Sequence, residues 1–127
     1  MRLQEIMTVT EAQFLSPDPG GLRSQAILKR EIQTGSAADL MSDVLLYNLA
    51  QGLLITGLIN PQIVRTAEMG DAAAILIVRG KKPLPETIEV AQQVDIPIFG
   101  TKLTMFETCG RLYAAGLRGS IRSEEVD

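Results

Sequence analysis

Three nearly uninterrupted apolar segments, separated by more polar ones, constrain the fold more than any other feature of the sequence. They are GLLITGLI at 52–59, AAAILIV at 72–78 and IPIFG at 96–100. A strand that is buried on both faces of a sheet has this pattern, because neither face carries alternating polar side chains. Strands of this kind that alternate with helices form parallel βαβ units. The sequence therefore predicts an α/β fold with a largely parallel sheet.

Recognisable helix boundaries lie between and after these segments. Asn60 is a favourable N-cap residue, and Pro61 follows it at the first helical position, where a missing N–H is harmless. A second helix is predicted over 85–95. The last helix is expected to begin at a capping box, in which Thr104 and Glu107 each bind a free amide of the other residue.

A further helix is predicted over 39–51, because Gly52 is of the residue type that ends helices in the left-handed conformation. Its first turn contains three polar side chains on one side, Asp39, Ser42 and Asp43. One interpretation is structural, since the helix dipole favours acidic groups in the first turn. The other is a polar cluster that binds a ligand, a cation such as Mg²⁺ or a second subunit. The pattern leaves both interpretations open.

The first 35 residues are predicted less sharply than the rest of the chain. A short helix is expected at 2–7, and short strands are expected at 12–15 and 26–33 with turn residues between them. We expect one domain over residues 1–118, followed by a flexible polar tail at 119–127.

The residues that follow the three predicted strands form the candidate binding site. In open parallel sheets, ligands bind beyond the carboxyl ends of the strands, where helix N-termini also present free amides. The residues at these ends are Thr56 and Gly57, then Arg79, Gly80, Lys81 and Lys82, and finally Gly100, Thr101 and Lys102. Glycines, hydroxyls and basic side chains can together hold a small anion, with a nucleotide as one candidate. The alternative is an ordinary set of polar loops.

Composition argues against several kinds of chemistry. Histidine is absent and Cys109 is the one cysteine, so a disulfide within the chain, a cysteine zinc cluster and the commonest general base are all excluded. Cys109 itself is expected to be a small core residue. The net charge of -3 makes broad attraction to nucleic acid or to anionic membranes unexpected. The sequence contains no recognisable signal peptide or membrane span, so we expect a cytoplasmic protein. We also expect that it needs no metal or other cofactor.

An excess of apolar residues predicts a homodimer. Hydrophobic residues make up 46% of the chain, and the mean hydropathy is +0.15. A chain of 127 residues with this composition is expected to leave an apolar face uncovered by its own helices. The predicted helix 39–51 is the expected dimer face, because Leu46, Tyr47 and Leu49 lie outside its core stripe.

Four segments of the chain, in their order and spacing, resemble the DRTGG domain, a small module related to the N-terminal domain of HPr kinase/phosphorylase. They are ADLMSDVL, ITGLINPQIVRTAEM, AAILIVRGKKP and GTKLTMFETCGRLYAAGL. The resemblance covers residues 36–117 well and the first 35 loosely, although the string DRTGG does not occur. It implies a three-layer α/β/α fold and a regulatory or interaction module.

Two functions of different classes are compatible with these patterns. The first is a non-catalytic regulatory or adaptor domain that binds a small anionic ligand, a protein partner or both at the carboxyl edge of the sheet. The second is a small enzyme that uses carboxylates and lysines. The kinase phosphate loop G-x-x-x-x-G-K-[ST] is not present, since Ile75 replaces its first glycine and Lys82 replaces its hydroxyl residue. The regulatory domain is therefore the predicted function.

Overall fold

Six strands form one sheet in the computed structural model of this chain, which describes residues 1–120. The helices and strands, in chain order, are α1 (Leu3–Thr10), β1 (Gln13–Ser16), α2 (Leu22–Leu28), β2 (Thr34–Ala37), α3 (Met41–Val44), β3 (Gly52–Thr56), α4 (Pro61–Met69), β4 (Ala74–Ile77), α5 (Pro85–Val94), β5 (Ile98–Gly100), α6 (Met105–Ala114) and β6 (Arg118–Gly119). The strand order is β1-β5-β4-β3-β2-β6. Every neighbouring pair is parallel except β1 and β5. The predicted α/β class with a largely parallel sheet is confirmed.

The sheet lies between two layers of helices. Leu54 and Ile75 pack on one face with residues of α3, α4 and α5, whereas Leu53 and Leu76 pack on the other with residues of α1, α2 and α6. All four side chains are fully buried. Because both faces are covered, β3 and β4 contain apolar residues at successive positions, and this is the pattern that the sequence shows.

Two of the predicted helix starts have the expected caps. The Asn60 side chain accepts a hydrogen bond from the Ile63 N–H at 3.2 Å, and the Thr104 hydroxyl accepts one from the Glu107 N–H at 3.2 Å. The reciprocal half of the capping box is not formed, because the Glu107 carboxylate binds Arg111 at 3.0 Å instead. The caps begin α4 and α6 and so direct both helices away from the carboxyl edge of the sheet.

The helix predicted over 39–51 is wrong. The helix α3 contains only Met41–Val44, and its N-cap is Leu40, which makes no side-chain cap bond. Gly52 does not end a helix but begins β3. A Cβ atom there would lie 2.8 Å from the Thr34 hydroxyl, so the glycine is needed for the close approach of β2. The sequence therefore marks Gly52 correctly as a position that needs glycine, but the reason is the contact with β2 and not the end of a helix.

The apolar residues expected to form a dimer face on that helix are distributed differently. Leu49 is buried in the core beneath α3 and α4. Leu46 and Tyr47 are half-buried, and Tyr47 packs against the same core. The segment therefore does not present these three side chains as one exposed face.

The strand predicted over 26–33 is also wrong. Its first residues belong to α2, which buries Ile27, and the remainder forms a loop. A short apolar run fits a helix as well as a strand, and here the helix buries it against α1. The strand β2 has few apolar residues, so the pattern does not predict it. The predicted helix at 2–7 and strand at 12–15 correspond to α1 and β1.

The end of the described chain joins the sheet. The strand β6 pairs with β2, and the Ser120 N–H donates to the Gly35 carbonyl at 3.2 Å. The predicted polar tail at 119–127 thus begins within a strand, and residues 121–127 lie outside the described residues. Within residues 1–120, every helix is too short or too polar to span a bilayer.

Candidate binding site

The carboxyl ends of four parallel strands bring the predicted site residues to one edge of the sheet. Asp39 lies just after β2, Gly57 after β3, Arg79 after β4 and Thr101 after β5. Since these strands are direct neighbours and run in the same direction, the segments that follow them are adjacent. The side chains form two separate groups at this edge, an aspartate–arginine cluster and a lysine cleft.

The aspartate–arginine cluster consists of Asp39, Gly57 and Arg79. One carboxylate oxygen of Asp39 accepts a hydrogen bond from the Gly57 N–H at 2.6 Å, and the other lies 3.4 Å from Nη1 of Arg79. Gly57 makes room for this pair, because a Cβ atom there would overlap the Arg79 guanidinium and lie 3.1 Å from Asp39 Oδ1. Asp39 therefore does not begin a helix. It connects the ends of three strands.

Arg79 has an unusual backbone conformation for its residue type. Arg79 and Gly80 both have positive φ angles, 63° and 66°, and the Lys81 N–H donates to the Val78 carbonyl at 3.4 Å. Two successive positive φ angles are typical of a type I′ turn, in which glycine and asparagine are the preferred residues. An arginine at this position is disfavoured by about 1–2 kcal/mol relative to glycine. Its side chain gains the contact with Asp39 in return.

Replacing Arg79 is therefore expected to have opposing effects on stability. In Arg79→Gly, relief of the left-handed backbone offsets the loss of an exposed ion pair, so the free energy of unfolding should change by less than about 1 kcal/mol. Arg79→Ala is the matched control, because it removes the same ion pair but keeps a Cβ atom. Urea denaturation should find the alanine variant less stable than the glycine variant. Equal stabilities would contradict this account of the turn.

Two predicted site residues, Thr56 and Thr101, use their hydroxyls inside the protein. Thr56 is fully buried, and its hydroxyl accepts a hydrogen bond from the Leu58 N–H at 3.1 Å. Thr101 is 3% exposed, and its hydroxyl donates to the Thr10 carbonyl at 2.7 Å and accepts from the Leu103 N–H at 3.2 Å. Both threonines shape the loops of the site, and a ligand would have to displace these bonds to reach the hydroxyls.

The lysine cleft has a volume of about 360 Å³ and lies where the ends of β4 and β5 meet β1. Its lining consists of Glu11, Gln13, Leu15, Gly80, Lys81, Lys82, Gly100, Thr101, Lys102 and Leu103. All three lysines are exposed, and none forms an ion pair with a carboxylate of the described residues. The one acidic group of the lining, Glu11, is bound to Arg111 at 2.7 Å. The cleft therefore carries local positive charge in a chain whose net charge is -3.

Backbone hydrogen bonds hold the two lysine-bearing loops together. The Arg79 N–H donates to the Leu103 carbonyl at 2.8 Å, and the Gly80 N–H donates to the Thr101 carbonyl at 2.8 Å. The backbone N–H groups of Lys82 and Lys102, in contrast, donate to no group of the described residues. Free amides next to ammonium groups are the donors that a phosphate or carboxylate needs.

Ser42 and Asp43 belong to neither group. Both are exposed on α3, and the side chain of neither forms a hydrogen bond or ion pair within residues 1–120. Conversely, the sequence pattern did not identify Glu11, Gln13 or Leu15 as cleft residues. They reach the cleft because β1 pairs antiparallel with β5, and nothing in the sequence indicates this pairing.

Cys109 lies on α6, where it is partly buried and packs against the core. Burial raises the pKa of its thiol, so the thiol stays protonated and weakly nucleophilic near neutral pH. Within the part of the chain that the structure describes, no group of three histidine, cysteine, aspartate or glutamate side chains could hold a metal ion.

The fold is similar to that of the regulatory region of a pyrophosphatase. It matches the crystal structure of the CBS and DRTGG domains of the regulatory region of Clostridium perfringens pyrophosphatase, which was solved in complex with its activator, diadenosine tetraphosphate. The TM-score is 0.62 and the sequence identity 14%. The match covers 98% of this chain and 52% of the other, so this chain spans about half the length of that structure.

At this level of identity the similarity shows the fold alone. It supports a CBS-like or DRTGG-like architecture, since that structure contains both kinds of domain. No protein-family model matches the sequence, and no curated protein matches it either.

Proposed function

We propose that this chain is a non-catalytic regulatory or adaptor domain that binds a small phosphorylated anion in the lysine cleft. The observation that carries the proposal is the grouping of Lys81, Lys82 and Lys102, three of the four lysines of the chain, around one cleft without carboxylate partners in the described residues. Like charges in such proximity repel each other, and a bound anion removes the repulsion. A partner protein that presents a phosphate or carboxylate would use the same contacts.

The dimensions and walls of the cleft favour a nucleotide among such anions. Small-molecule sites have volumes of about 300–1,000 Å³, and this cleft lies at the lower end of that range. The side chains of Leu15 and Leu103 supply apolar wall on which a base can lie, while the lysines face the phosphates. The similar regulatory region was crystallised with a nucleotide polyphosphate activator, so this ligand class is the first to test.

The groups in the cleft favour binding over catalysis. The chain contains no histidine, and the cleft offers exposed lysines and one carboxylate. That carboxylate, on Glu11, is already bound to Arg111. Covalent and acid–base catalysis need a nucleophile and a base within hydrogen-bond distance of each other and oriented by a third group. No such combination supports the enzyme alternative among residues 1–120.

The proposal predicts that neutralising the lysines weakens anion binding. We expect the triple variant Lys81→Gln, Lys82→Gln, Lys102→Gln to bind ATP at least tenfold more weakly than the unchanged chain, a loss of about 1.4 kcal/mol or more. Titration calorimetry with ATP, AMP and tripolyphosphate measures this directly. Lys29→Gln is the matched control, because Lys29 is exposed on the chain but lies outside the cleft.

Two outcomes would contradict the proposed ligand. The first is the absence of binding heat and thermal shift for the unchanged chain with all three compounds at millimolar concentration. The second is a loss of affinity in Lys29→Gln as large as that in the single substitution Lys102→Gln, because a general charge effect would then account for the result. Raising the ionic strength should weaken true cleft binding, since the lysines are exposed to solvent.

We also propose that the chain functions as a homodimer. The support for this proposal is apolar surface that its own helices leave uncovered, most clearly Phe106 and Tyr113, which are 85% and 61% exposed and line one shallow groove on α6. Large exposed apolar side chains that cluster in one patch mark interaction surfaces. Sedimentation velocity over a dilution series tests the proposal, because a homodimer dissociates as the concentration falls.

A further inference from the structure

The outer face of α6 is apolar although it faces solvent. Phe106, Gly110, Tyr113 and Ala114 follow the i, i+4, i+7, i+8 spacing of one helix face. Phe106 is 85% exposed and Tyr113 is 61% exposed. The charged residues of the helix lie beside this face, where Arg111 is bound to glutamate side chains. The face therefore combines large exposed aromatic groups with small residues, and the Arg118 guanidinium lies over the Tyr113 ring, 4.3 Å from its centre.

Gly110 has no structural role within its own chain. A Cβ atom added to it would have nothing within 4 Å, and its position inside α6 does not require a positive φ angle. Glycine weakens a helix interior relative to alanine. Its useful property at such a site is that it lets another backbone approach closely. No segment of the described chain makes that approach.

Phe106 and Tyr113 form the rims of a shallow apolar groove with Gly110 in its floor. The other lining residues include Ala37, Cys109 and Ala114. The groove continues toward the edge of the sheet, where Ala37, Cys109 and Tyr113 also line a second cleft between α6 and the strands β2 and β6. The groove of α6 and the cleft beside β6 thus share three lining residues, and Arg118 also lines that cleft.

We propose that this face of α6 binds the same face of a second copy of the chain, with the two helices antiparallel about a two-fold axis at Gly110. Phe106 lies four residues before Gly110, and Ala114 lies four residues after it. An antiparallel pair therefore places each Phe106 against the Ala114 of the other copy, a large side chain opposite a small one. The two-fold axis repeats this contact on both sides. The inference rests on the proposed homodimer and names its face.

The charges beside the α6 face and the area that it can bury both favour a second copy of the chain as its binding partner. The Glu107 and Arg111 side chains bind each other beside the face, so two copies do not repel one another there. Phe106 is 85% exposed and Tyr113 is 61% exposed, so the four aromatic side chains of two copies can together bury about 400–700 Å². With the small residues of the groove the interface approaches about 1,000 Å², the lower limit for a specific complex. We therefore expect a weak dimer that dissociates on dilution.

Sedimentation velocity of the full chain with single substitutions tests the face. Gly110→Gln should weaken the dimer at least tenfold, because the new side chain fills the groove. At a concentration low enough for the unchanged chain to be monomeric, it should leave the melting temperature unchanged or higher, because the site is open and glutamine favours helix. Phe106→Ala should weaken the dimer similarly. Met69→Gln is the matched control, since Met69 is as exposed but lies on α4, in the opposite layer.

Cross-linking through the native thiol tests whether the two-fold axis lies at Gly110. Cys109 is adjacent to Gly110 and would lie beside the axis. A short bismaleimide should therefore join two unmodified chains at Cys109 when it is applied at about pH 9, because burial raises the pKa of this thiol and leaves it weakly reactive near neutral pH. The Cys109→Ala variant should not be joined, and Gly110→Gln should be joined much less.

The possible results distinguish the proposed homodimer from the proposal that the outer face of α6 is its interface. A strict monomer at every concentration overturns both proposals. A dimer that withstands Gly110→Gln and Phe106→Ala overturns the α6 face and leaves the homodimer in place. A dimer that both substitutions weaken but that does not cross-link, although a monofunctional maleimide labels Cys109 at the same pH, overturns the placement of the two-fold axis at Gly110. Weakening together with cross-linking supports the proposal in full.

Discussion

Replacing Thr101 by valine should lower the free energy of unfolding by about 2–4 kcal/mol and the melting temperature by about 10 °C. Valine has nearly the same shape as threonine, so packing is retained while the hydroxyl is lost. The buried hydroxyl donates to the Thr10 carbonyl and accepts from the Leu103 N–H. The Thr10 carbonyl would lose its partner in a buried position, which is the costly case for a hydrogen bond, and the partly buried Leu103 N–H would lose its partner as well. Urea denaturation with thermal melting measures the loss.

Thr101→Ser is the matched control for this prediction. It keeps the hydroxyl and removes only a methyl group, so the expected loss is about 1 kcal/mol. If valine cost no more than serine, the hydroxyl bonds would not be holding the loop after β5. We also expect the valine and serine variants to differ in their affinity for anions, because Lys102 and Leu103 lie on this loop and line the lysine cleft. Thr101→Val should bind ATP more weakly than Thr101→Ser. The effect is indirect, because the hydroxyl holds the loop and is not proposed to touch the ligand.

Replacing Asp39 by alanine should lower the free energy of unfolding by about 2 kcal/mol. Most of this loss comes from the N–H of Gly57, which is buried and donates to the Asp39 carboxylate at 2.6 Å. The ion pair with Arg79 contributes less, because both side chains are more than 40% exposed and water screens the attraction. Urea denaturation of the variant against the unchanged chain measures the difference.

Asp39→Asn distinguishes the two contributions. The amide oxygen can still accept from the Gly57 N–H, while the charge that attracts Arg79 is gone. We expect asparagine to cost less than half as much as alanine. A loss as large as that of alanine would show instead that the ion pair with Arg79 is the main contribution. A double-mutant cycle that combines Asp39→Asn with Arg79→Gly measures the interaction energy between these two side chains.

The carboxyl edge of the sheet illustrates how far the sequence alone predicts a binding site. The apolar runs of β3, β4 and β5 indicate parallel strands, and parallel strands place Arg79 and Lys102 at the same edge. The contact between Asp39 and Arg79, which lie 40 positions apart, is not predictable in the same way. It depends on β2, whose short and partly polar sequence gives no apolar pattern.

The roles of the threonines show a second limit. Thr56 and Thr101 have the residue type and position expected of ligand contacts, but their hydroxyls bind backbone groups of the protein. For Thr101 the acceptor is the carbonyl of Thr10, 91 positions away. Sequence position places a side chain near a site. Only the packing around it determines whether its polar atoms are still free.

The sequence by itself determined the class of the fold, the central parallel strands and the starts of α4 and α6. These features depend on residues close together in the chain, through apolar runs and helix caps. The tertiary structure alone decided that β1 is antiparallel to β5, that Asp39 binds across three strands and that three lysines line one cleft. It also decided that Gly110 faces open space. These features depend on contacts between distant segments, and the energy of such contacts exists only after the chain has packed.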